Sequence, residues 1–401
     1  MASSEHAASR PVVLVAIDWY LPAFRAGGPI RSVANLIAAL GDEIDFRIVC
    51  GNRDLGAEEP LGVSGKWTAV GKAQVRYLSP EEWTAEIWRR LLLEVQPDRL
   101  YLNSLYSGPF SRLPWKVARA MGVPTTLAPR GMLGPGALSI KPWRKRLWLA
   151  AQRLTGRYGN LTWHASTEQE ASEIRAWFPQ AEIQTALNLP VPFQPLPYPS
   201  EEDFPERRSE GHPEGHPEGH PEGNIPSAIR LLSVGRVHPI KNYGFGLALA
   251  QSLSGPDRPV VYHIVGPLED KEEAGRLQAQ AEAMDFVELK LEGPVPPHET
   301  AAQFGWAQLV LVPSFNENFG HAVAEAVACA RPAIVSDQTA WSAMEHGDSV
   351  RCLPLEVDKW HAAASALLDL SQDELVESSR HTHAQCLLSP AHLAAQRALF
   401  S

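Results

Sequence analysis

The segment QLVLVPSFNENFGHAVAEAVACARPAIVS, residues 308–336, combines two short apolar runs with one helical pattern. QLVLVPS and RPAIVS are apolar almost throughout, which is typical of strands buried on both faces of a parallel sheet. Between them, FNENFG is a polar loop with a glycine, and HAVAEAVACA follows as a helix. The segment therefore predicts strand, loop, helix and strand, the repeating unit of a doubly wound α/β domain.

The same alternation of apolar strands and amphipathic helices extends over most of the chain. A length of 401 residues allows two such domains, each with its own core. We expect the first domain over residues 1–189 and the second over residues 228–385. Residues 386–401 are expected to form a C-terminal helix that packs back on the first domain.

Residues 190–227, between the two domains, differ in composition from the rest. They are rich in proline, glutamate and glycine, and EGHP occurs three times in residues 210–223. A repeat without apolar residues buries nothing that would offset the entropy of ordering, so we predict a flexible linker. Its histidines recur every four residues, as metal ligands on a helix would, but the prolines between them forbid that helix.

Composition restricts the classes of partner and the compartment. There are 36 lysines and arginines against 46 aspartates and glutamates, a net charge of -10, which disfavours a nucleic-acid partner. The four cysteines are far apart and form no CxxC pair, as expected in a reducing compartment. The N-terminal segment is short and polar, and the first apolar run is far shorter than a membrane-spanning helix. We therefore expect a cytoplasmic protein.

Two carboxylates and two cations are expected at one edge of the second sheet. Glu317 lies in the loop after a strand, and Glu325 lies five residues after Gly320, about 7.5 Å along the helix. Carboxylates accept hydrogen bonds from vicinal hydroxyls, as in ribose or a sugar ring. Arg236 and Lys241, in SVGRVHPIK, follow another strand and suit a diphosphate. Each pair alone also fits ordinary surface charge.

The order of SVGR…K, IVGP, LEGPV, VPSFNENFGHAVAEAVA and RPAIVSDQTAW resembles the nucleotide-sugar domain of the retaining glycosyltransferases of family four. These enzymes have the GT-B fold, two Rossmann-like domains facing across a cleft. PAFRAGGPIRSVANLIAAL, residues 22–40, resembles the glycine loop and first helix of the same family. The resemblance implies retaining transfer of a hexosyl group from a nucleotide-diphosphate sugar to a glycan or lipid-linked acceptor, in polysaccharide or glycoconjugate biosynthesis and without a cofactor.

The resemblance also implies roles for individual residues. Arg236 and Lys241 match the basic pair that neutralises the donor diphosphate, Glu317 matches the contact to the donor sugar, and Glu325 matches the ribose ligand. The other donor-side positions that it implies are Gly27, Gly28, Gly266, Gly293, Asn318, Phe319 and Gly320. The sequence contains no D-x-D pair of the kind that metal-dependent sugar transferases use, so we expect no metal ion.

One position departs from the family pattern. Arg130, in TTLAPRGML, stands where many relatives carry a histidine followed by glycine, and a guanidinium is no base at neutral pH. We expect Arg130 to bind an oxygen or phosphate on the acceptor side. Asn103, at the end of the strand RLYLN, is a second candidate there, or else it caps the following turn. An epimerase of the same architecture and a non-catalytic nucleotide-sugar-binding protein stay as alternative functions.

Residues 140–159, IKPWRKRLWLAAQRLTGRYG, interleave basic residues with tryptophans and leucines. Such a helix can lie on an anionic membrane surface, where lipid-linked acceptors reside. Its aromatic side chains can equally pack on their own domain while the cations stay solvated. Peripheral association with the inner face of a membrane and simple packing both remain open from the sequence.

Overall fold

The protein is described here by a computed structural model that covers residues 10–63, 65–139, 142–199 and 228–401. These residues form one eight-stranded and one six-stranded sheet, each flanked by helices. This confirms the predicted pair of doubly wound α/β domains, which we call the first lobe and the second lobe. Residues 200–227, which include all the EGHP repeats of the predicted linker 190–227, lie outside the described residues.

The first lobe is built on strands in the order β3-β4-β2-β1-β5-β6-β7-β8. Its strand pairs are parallel apart from the β3–β4 hairpin at one edge. The strands are β1 (Val12–Ile17), β2 (Asp45–Gly51), β3 (Thr68–Val70), β4 (Ala73–Leu78), β5 (Arg99–Asn103), β6 (Thr125–Ala128), β7 (Thr162–Ala165) and β8 (Glu182–Thr185). The helices are α1 (Gly28–Leu40), α2 (Ala85–Val95), α3 (Leu113–Met121), α4 (Pro135–Ser139), α5 (Pro142–Thr155) and α6 (Glu168–Trp177).

The second lobe has a parallel sheet in the order β11-β10-β9-β12-β13-β14. The strand order reverses between β9 and β12, and ligands of such sheets bind at the carboxyl ends of the strands at this point. The strands are β9 (Ile229–Val234), β10 (Val260–Val265), β11 (Val287–Glu292), β12 (Leu309–Val312), β13 (Ala333–Ser336) and β14 (Val350–Leu353). The helices are α7 (Tyr243–Leu253), α8 (Lys271–Glu282), α9 (Pro297–Trp306), α10 (His321–Ala328), α11 (Val357–Leu368) and α12 (Gln372–His381), and one more helix, α13 (Pro390–Ala398), follows this lobe in the chain.

The described part of the linker, residues 190–199, is fixed to the second lobe. The backbone N–H of Gln194 donates to the carbonyl of Ala328 at 2.8 Å. The fully buried guanidinium of Arg331 donates to the carbonyls of Leu196 and Phe304 at 3.1 and 2.9 Å. Buried charge needs such hydrogen bonds, because it has lost its hydration. The linker therefore leaves the first lobe and at once joins the packing of the second.

The C-terminal helix α13 and the residues after it return to the first lobe. Leu399 and Phe400 are buried in that lobe, and the Phe400 ring packs edge-on against Phe46 with centroids 5.7 Å apart. The Arg397 guanidinium donates to the Glu43 carboxylate at 2.7 Å. The chain thus crosses between the lobes twice, once before the second sheet and once after it.

Candidate active site between the two lobes

Lys241 and Glu317 meet at the strand-order reversal of the second sheet. Lys241 ends a short 3-10 turn after β9, and Glu317 lies in the loop after β12. The Lys241 ammonium pairs with Glu317 Oε1, which also accepts a hydrogen bond from the Ser314 hydroxyl at 2.9 Å. Both side chains are largely buried. The structure therefore brings together one cation and one carboxylate of the predicted set.

The Arg236 side chain takes a different direction. Its guanidinium pairs with Glu269 at 2.9 Å, and both side chains are about half exposed. The backbone of the Arg236 loop nevertheless packs at the site, because a Cβ on Gly266 would lie only 2.2 Å from the carbonyl oxygen of Gly235. Gly266 is thus needed for the close approach of two loops, whereas a Cβ on Gly293 would contact none of the described residues within 4 Å.

The start of α10 is fixed by a buried tryptophan. The Trp341 indole N–H donates to the carbonyl of Phe319 at 2.8 Å, and Phe319 is buried. Gly320 has a φ of 76°, and a Cβ there would lie 2.8 Å from Trp341 Nε1. Only glycine fits this position without strain. The first turn of α10, with the positive end of the helix dipole, is thereby held at the edge of the sheet.

Helix α1 of the first lobe contacts α10 of the second. The Ser32 hydroxyl donates to the carbonyl of Gly28 at 3.0 Å and lies 2.9 Å from His321 Nε2. A Cβ on Gly28 would lie 3.6 Å from the His321 ring, while Gly27, with a φ of 67°, caps α1. One helical turn further along α10, Glu325 pairs with Arg31 of α1. The predicted glycine loop and Glu325 therefore face each other across the cleft.

A second contact between the lobes involves the Asn318 side chain. Its amide N–H donates to the Ser166 hydroxyl at 2.8 Å. Buried Glu170 accepts hydrogen bonds from the backbone N–H groups of Ser166, at 2.8 Å, and Gly131, at 2.6 Å. Asn318 is one of the donor-side positions that the family resemblance implies. In this structure the Asn318 side chain holds the loop against the first lobe.

Arg130 is held in a network of uncharged groups. Its guanidinium donates to Asn103 Oδ1 at 3.1 and 2.6 Å, to Asn188 Oδ1 at 2.6 Å and to the Tyr101 hydroxyl at 2.9 Å. The Tyr101 hydroxyl lies 2.7 Å from His164 Nδ1, and His164 Nε2 lies 2.8 Å from the carbonyl of Ala186. Asn103 thus orients Arg130, and no carboxylate among the described residues pairs with its charge.

The protonation of His164 follows from burial. Burial lowers the pKa of His164 to about 3, so the ring is neutral. Its Nε2–H donates to the Ala186 carbonyl, the Tyr101 hydroxyl donates to Nδ1, and the Tyr101 oxygen accepts from Arg130. This chain of hydrogen bonds fixes the Arg130 guanidinium in one orientation.

The charge state of His321 depends on burial and on cations from both lobes. Burial, and after it the nearby charges of Arg31, Arg130 and Lys241, lower the pKa of His321 to about 3. The imidazole is therefore neutral at neutral pH. Two of these cations are paired with carboxylates, Lys241 with Glu317 and Arg31 with Glu325, and the guanidinium of Arg130 is held by uncharged groups. Such a site can bind an anion that also offers hydroxyls to Glu317 and Glu325.

The sequence reasoning missed several residues that the fold brings to the cleft. Arg31, Ser32 and His321 form contacts between the lobes, and Glu170 holds the Arg130–Gly131 turn. Two of them had a local signal: Arg31 follows the glycine loop by three residues, and His321 directly follows Gly320. Glu170 had none, because its partner in the second lobe is 148 residues away in the chain.

The sequence of the chain is similar to the sequences of known glycosyltransferases. The family model for glycosyl transferases group 1 matches residues 220–384, and the model for the glycosyl transferase 4-like domain matches residues 27–188. A D-inositol 3-phosphate glycosyltransferase of Pseudarthrobacter chlorophenolicus is 36% identical over 143 residues, 34% of this chain and 33% of that protein. The same enzyme of Frankia alni is 34% identical over 115 residues, 26% of this chain and 28% of that protein. These matches span about a third of the relatives' length or less.

Solved structures share the fold over nearly the whole chain. The HepE protein of Anabaena in complex with UDP-glucose has a TM-score of 0.65 at 13% identity, covering 97% of this chain and 98% of that one. Sucrose-phosphate synthase of Thermosynechococcus elongatus has a TM-score of 0.62 at 15% identity, covering 98% and 95%. These similarities confirm the expected GT-B fold. Since the two family models together match most of the sequence, one on each lobe, the chain belongs to the glycosyl transferases group 1.

Proposed function

We propose that the protein transfers a sugar from a nucleotide-diphosphate sugar to a glycan or lipid-linked acceptor, with retention of anomeric configuration and without a metal ion. The observation that carries the proposal is the pairing of Lys241 with Glu317 at the edge of the second sheet and of Arg31 with Glu325 across the cleft. The relatives named D-inositol 3-phosphate glycosyltransferase and the HepE complex with UDP-glucose support this class of reaction and donor.

The donor diphosphate would lie between Lys241 and the first turn of α10. Breaking the anomeric C–O bond leaves its electron pair on a phosphate oxygen, and fixed positive charge in a closed cleft stabilises that oxygen with little reorganisation. Glu317 would accept hydrogen bonds from the transferred sugar. In retention the acceptor oxygen bonds to the same face of the sugar, and its proton passes to the departing phosphate oxygen.

Arg130 fits a positioning role on the acceptor side. Its guanidinium stays protonated at neutral pH, so it is not the base of the reaction. Asn103, Asn188 and Tyr101 hold it in one orientation. Arg130 would therefore direct a fixed positive charge at an oxygen or phosphate of the acceptor or donor.

A panel of UDP-, GDP- and ADP-sugars in thermal-shift assays tests donor binding, because a ligand that binds only the folded form raises its melting temperature. The best donor is then incubated with acceptor glycans, and the anomeric configuration of the product is determined by NMR. Activity that survives EDTA supports a metal-independent reaction. Conversion of the donor sugar without acceptor would favour the epimerase instead, and donor binding without nucleotide release would favour the non-catalytic binding protein.

Helix α5 supports contact with a membrane surface. Trp143, Leu147 and Leu154 are 70%, 65% and 88% exposed. At about 100° per residue they fall within about 40° of one another on one face. The exposed residues Arg144, Arg146 and Arg153 flank this stripe. Aromatic and aliphatic side chains flanked by arginines fit the interface of an anionic bilayer.

The rest of α5 packs on its own lobe. The Trp148 ring contacts Tyr106 and Tyr158, with centroids 5.4 and 6.0 Å apart, and Leu149 is buried. One face of this helix thus packs on its own lobe, and the apolar stripe lies on an exposed face. None of the described helices has both the length and the apolar character to cross a bilayer. We therefore propose surface attachment through the exposed stripe.

Co-sedimentation with anionic phosphatidylglycerol vesicles tests this attachment. Trp143→Ser combined with Leu147→Ser is expected to abolish most of the binding, because it removes the apolar contact. Leu93→Ser is the matched control, since Leu93 is 59% exposed on α2. Equal binding of wild type and the double variant would refute the role of α5.

A further inference from the structure

Arg31 contacts the donor-side carboxylate from the opposite lobe. It lies in the first turn of α1, and its guanidinium pairs with Oε1 of Glu325 in α10. The second Nη lies 3.4 Å from the Thr300 hydroxyl in α9. Neither the composition of α1 nor the spacing of the two glutamates predicts this pair. It connects residues 294 positions apart in the chain.

The two carboxylate oxygens of Glu325 differ in their hydrogen bonding. The residue is 6% exposed, and Oε1 is occupied by Arg31. Oε2 is buried and accepts no hydrogen bond from the part of the chain that the structure describes. A buried carboxylate oxygen without a donor is costly, so native sites generally supply one. One oxygen of Glu325 is thus fixed by the protein, and the other is left for a hydroxyl of a ligand.

The adjacent contact keeps α1 in register with α10. Ser32 gives its hydroxyl proton to the Gly28 carbonyl, so His321 Nε2–H is the donor to the Ser32 oxygen. Arg31 and Ser32, consecutive in α1, therefore meet Glu325 and His321, one turn apart in α10. Two neighbouring contacts restrict rotation of the helices about each other more than a single ion pair does.

We propose that Arg31 is a positioning residue for nucleotide recognition: held by Arg31 across the cleft, Glu325 directs Oε2 at the ribose hydroxyls of the donor. This inference rests on the proposed function and adds to it that ribose recognition requires both lobes. Without Arg31 the carboxylate loses its charge partner and its fixed rotamer. Discrimination between ribose and a sugar lacking these hydroxyls is then lost.

Calorimetric titration of the full chain with UDP, ADP and GDP and with their 2′,3′-dideoxy counterparts tests the proposal. For wild type we expect the ribonucleotide to bind about tenfold tighter or more, as a hydrogen bond to a charged group implies. For Arg31→Ala the two dissociation constants should agree within about threefold. Arg31→Lys should restore part of the ratio, because the ammonium keeps the charge but not the planar fork.

Arg397→Ala is the matched control, since it removes an exposed arginine–glutamate pair far along the chain from Glu325. It should keep the wild-type ratio. The ratio is independent of how much of a variant is folded, because inactive protein changes the stoichiometry and leaves the dissociation constants. If none of the three nucleotides binds wild type, the proposed function fails and the inference with it. If wild type discriminates and Arg31→Ala discriminates equally well, only the assignment of Arg31 is overturned.

Discussion

Replacing Lys241 by alanine tests the central electrostatic claim. The Lys241 side chain is 15% exposed, and its ammonium pairs with Glu317 at the carboxyl edge of the second sheet. Two unit charges 4 Å apart interact by about 4 kcal/mol at an effective dielectric constant of about 20. A hydrogen bond to a charged group contributes about 1.5–3 kcal/mol net. We therefore expect kcat/KM for the donor to fall by roughly 10- to 150-fold.

The assay measures nucleotide release in the presence of acceptor, with donor affinity determined separately by calorimetry. A loss in kcat indicates that Lys241 stabilises the departing diphosphate, and a loss confined to KM indicates ground-state binding. In Lys241→Ala the Glu317 carboxylate also loses its charge partner. If that loss causes the fall in kcat/KM, the double variant Lys241→Ala/Glu317→Gln should recover activity. Lys359→Ala, which breaks an exposed lysine–glutamate pair, is the control. A loss of less than threefold in Lys241→Ala would refute the reasoning.

Three further predictions concern stability. Gly320→Ala should cost about 1–3 kcal/mol, because residue 320 has a left-handed φ and adjoins Trp341. Arg331→Met should cost about 3 kcal/mol and lower the thermal midpoint, because it leaves buried carbonyls without a donor. The pKa of His321 is lowered to about 3, so below about pH 6.5 the unfolded chain binds a proton that the native protein does not. As the pH decreases below about 6.5, this group should lower the free energy of unfolding by about 1.4 kcal/mol per pH unit. His321→Gln should remove this contribution to the pH dependence.

The stability of these variants is measured by urea and thermal unfolding. His321→Gln and wild type are compared between about pH 5 and pH 7. Gly275→Ala is the control for Gly320→Ala, since a Cβ there would meet none of the described residues within 4 Å and α8 should gain about 0.5–1 kcal/mol. His298→Gln, at an exposed position, is the control for His321→Gln. Unchanged stability in Gly320→Ala or Arg331→Met, or an unchanged pH slope in His321→Gln, would each contradict the packing described.

The local pattern of apolar residues was enough to predict the strands at the centres of both sheets. β1 and β12 are continuous apolar runs, and β5 and β9 are mostly apolar runs with two polar residues each. β8, by contrast, is EIQT, four residues with a charged and an amide side chain at the sheet edge. Such an edge strand has no apolar signature, because it packs only on one side. It was found only through its pairing with β7.

The partners of the charged residues could not be predicted in the same way. The sequence placed Arg236 and Lys241 together after β9, yet only the Lys241 side chain contacts Glu317, while Arg236 pairs with Glu269. Arg236 and Lys241 lie five positions apart in one loop, and their side-chain rotamers are set by neighbouring residues from other elements. A long flexible side chain has several acceptors in reach, and small energy differences decide among them.

By itself the sequence determined the two doubly wound lobes, the edge of the second sheet where Lys241 and Glu317 meet, and the glycines that the turns there require. These depend on hydrophobic period and backbone stereochemistry, which act over a few residues. Only the tertiary structure decided that Arg31 holds Glu325, that Asn318 bonds to Ser166, and that the end of the chain packs on the first lobe. Such contacts join residues more than a hundred positions apart, and their energies depend on burial and charge that exist only once both lobes have folded against each other.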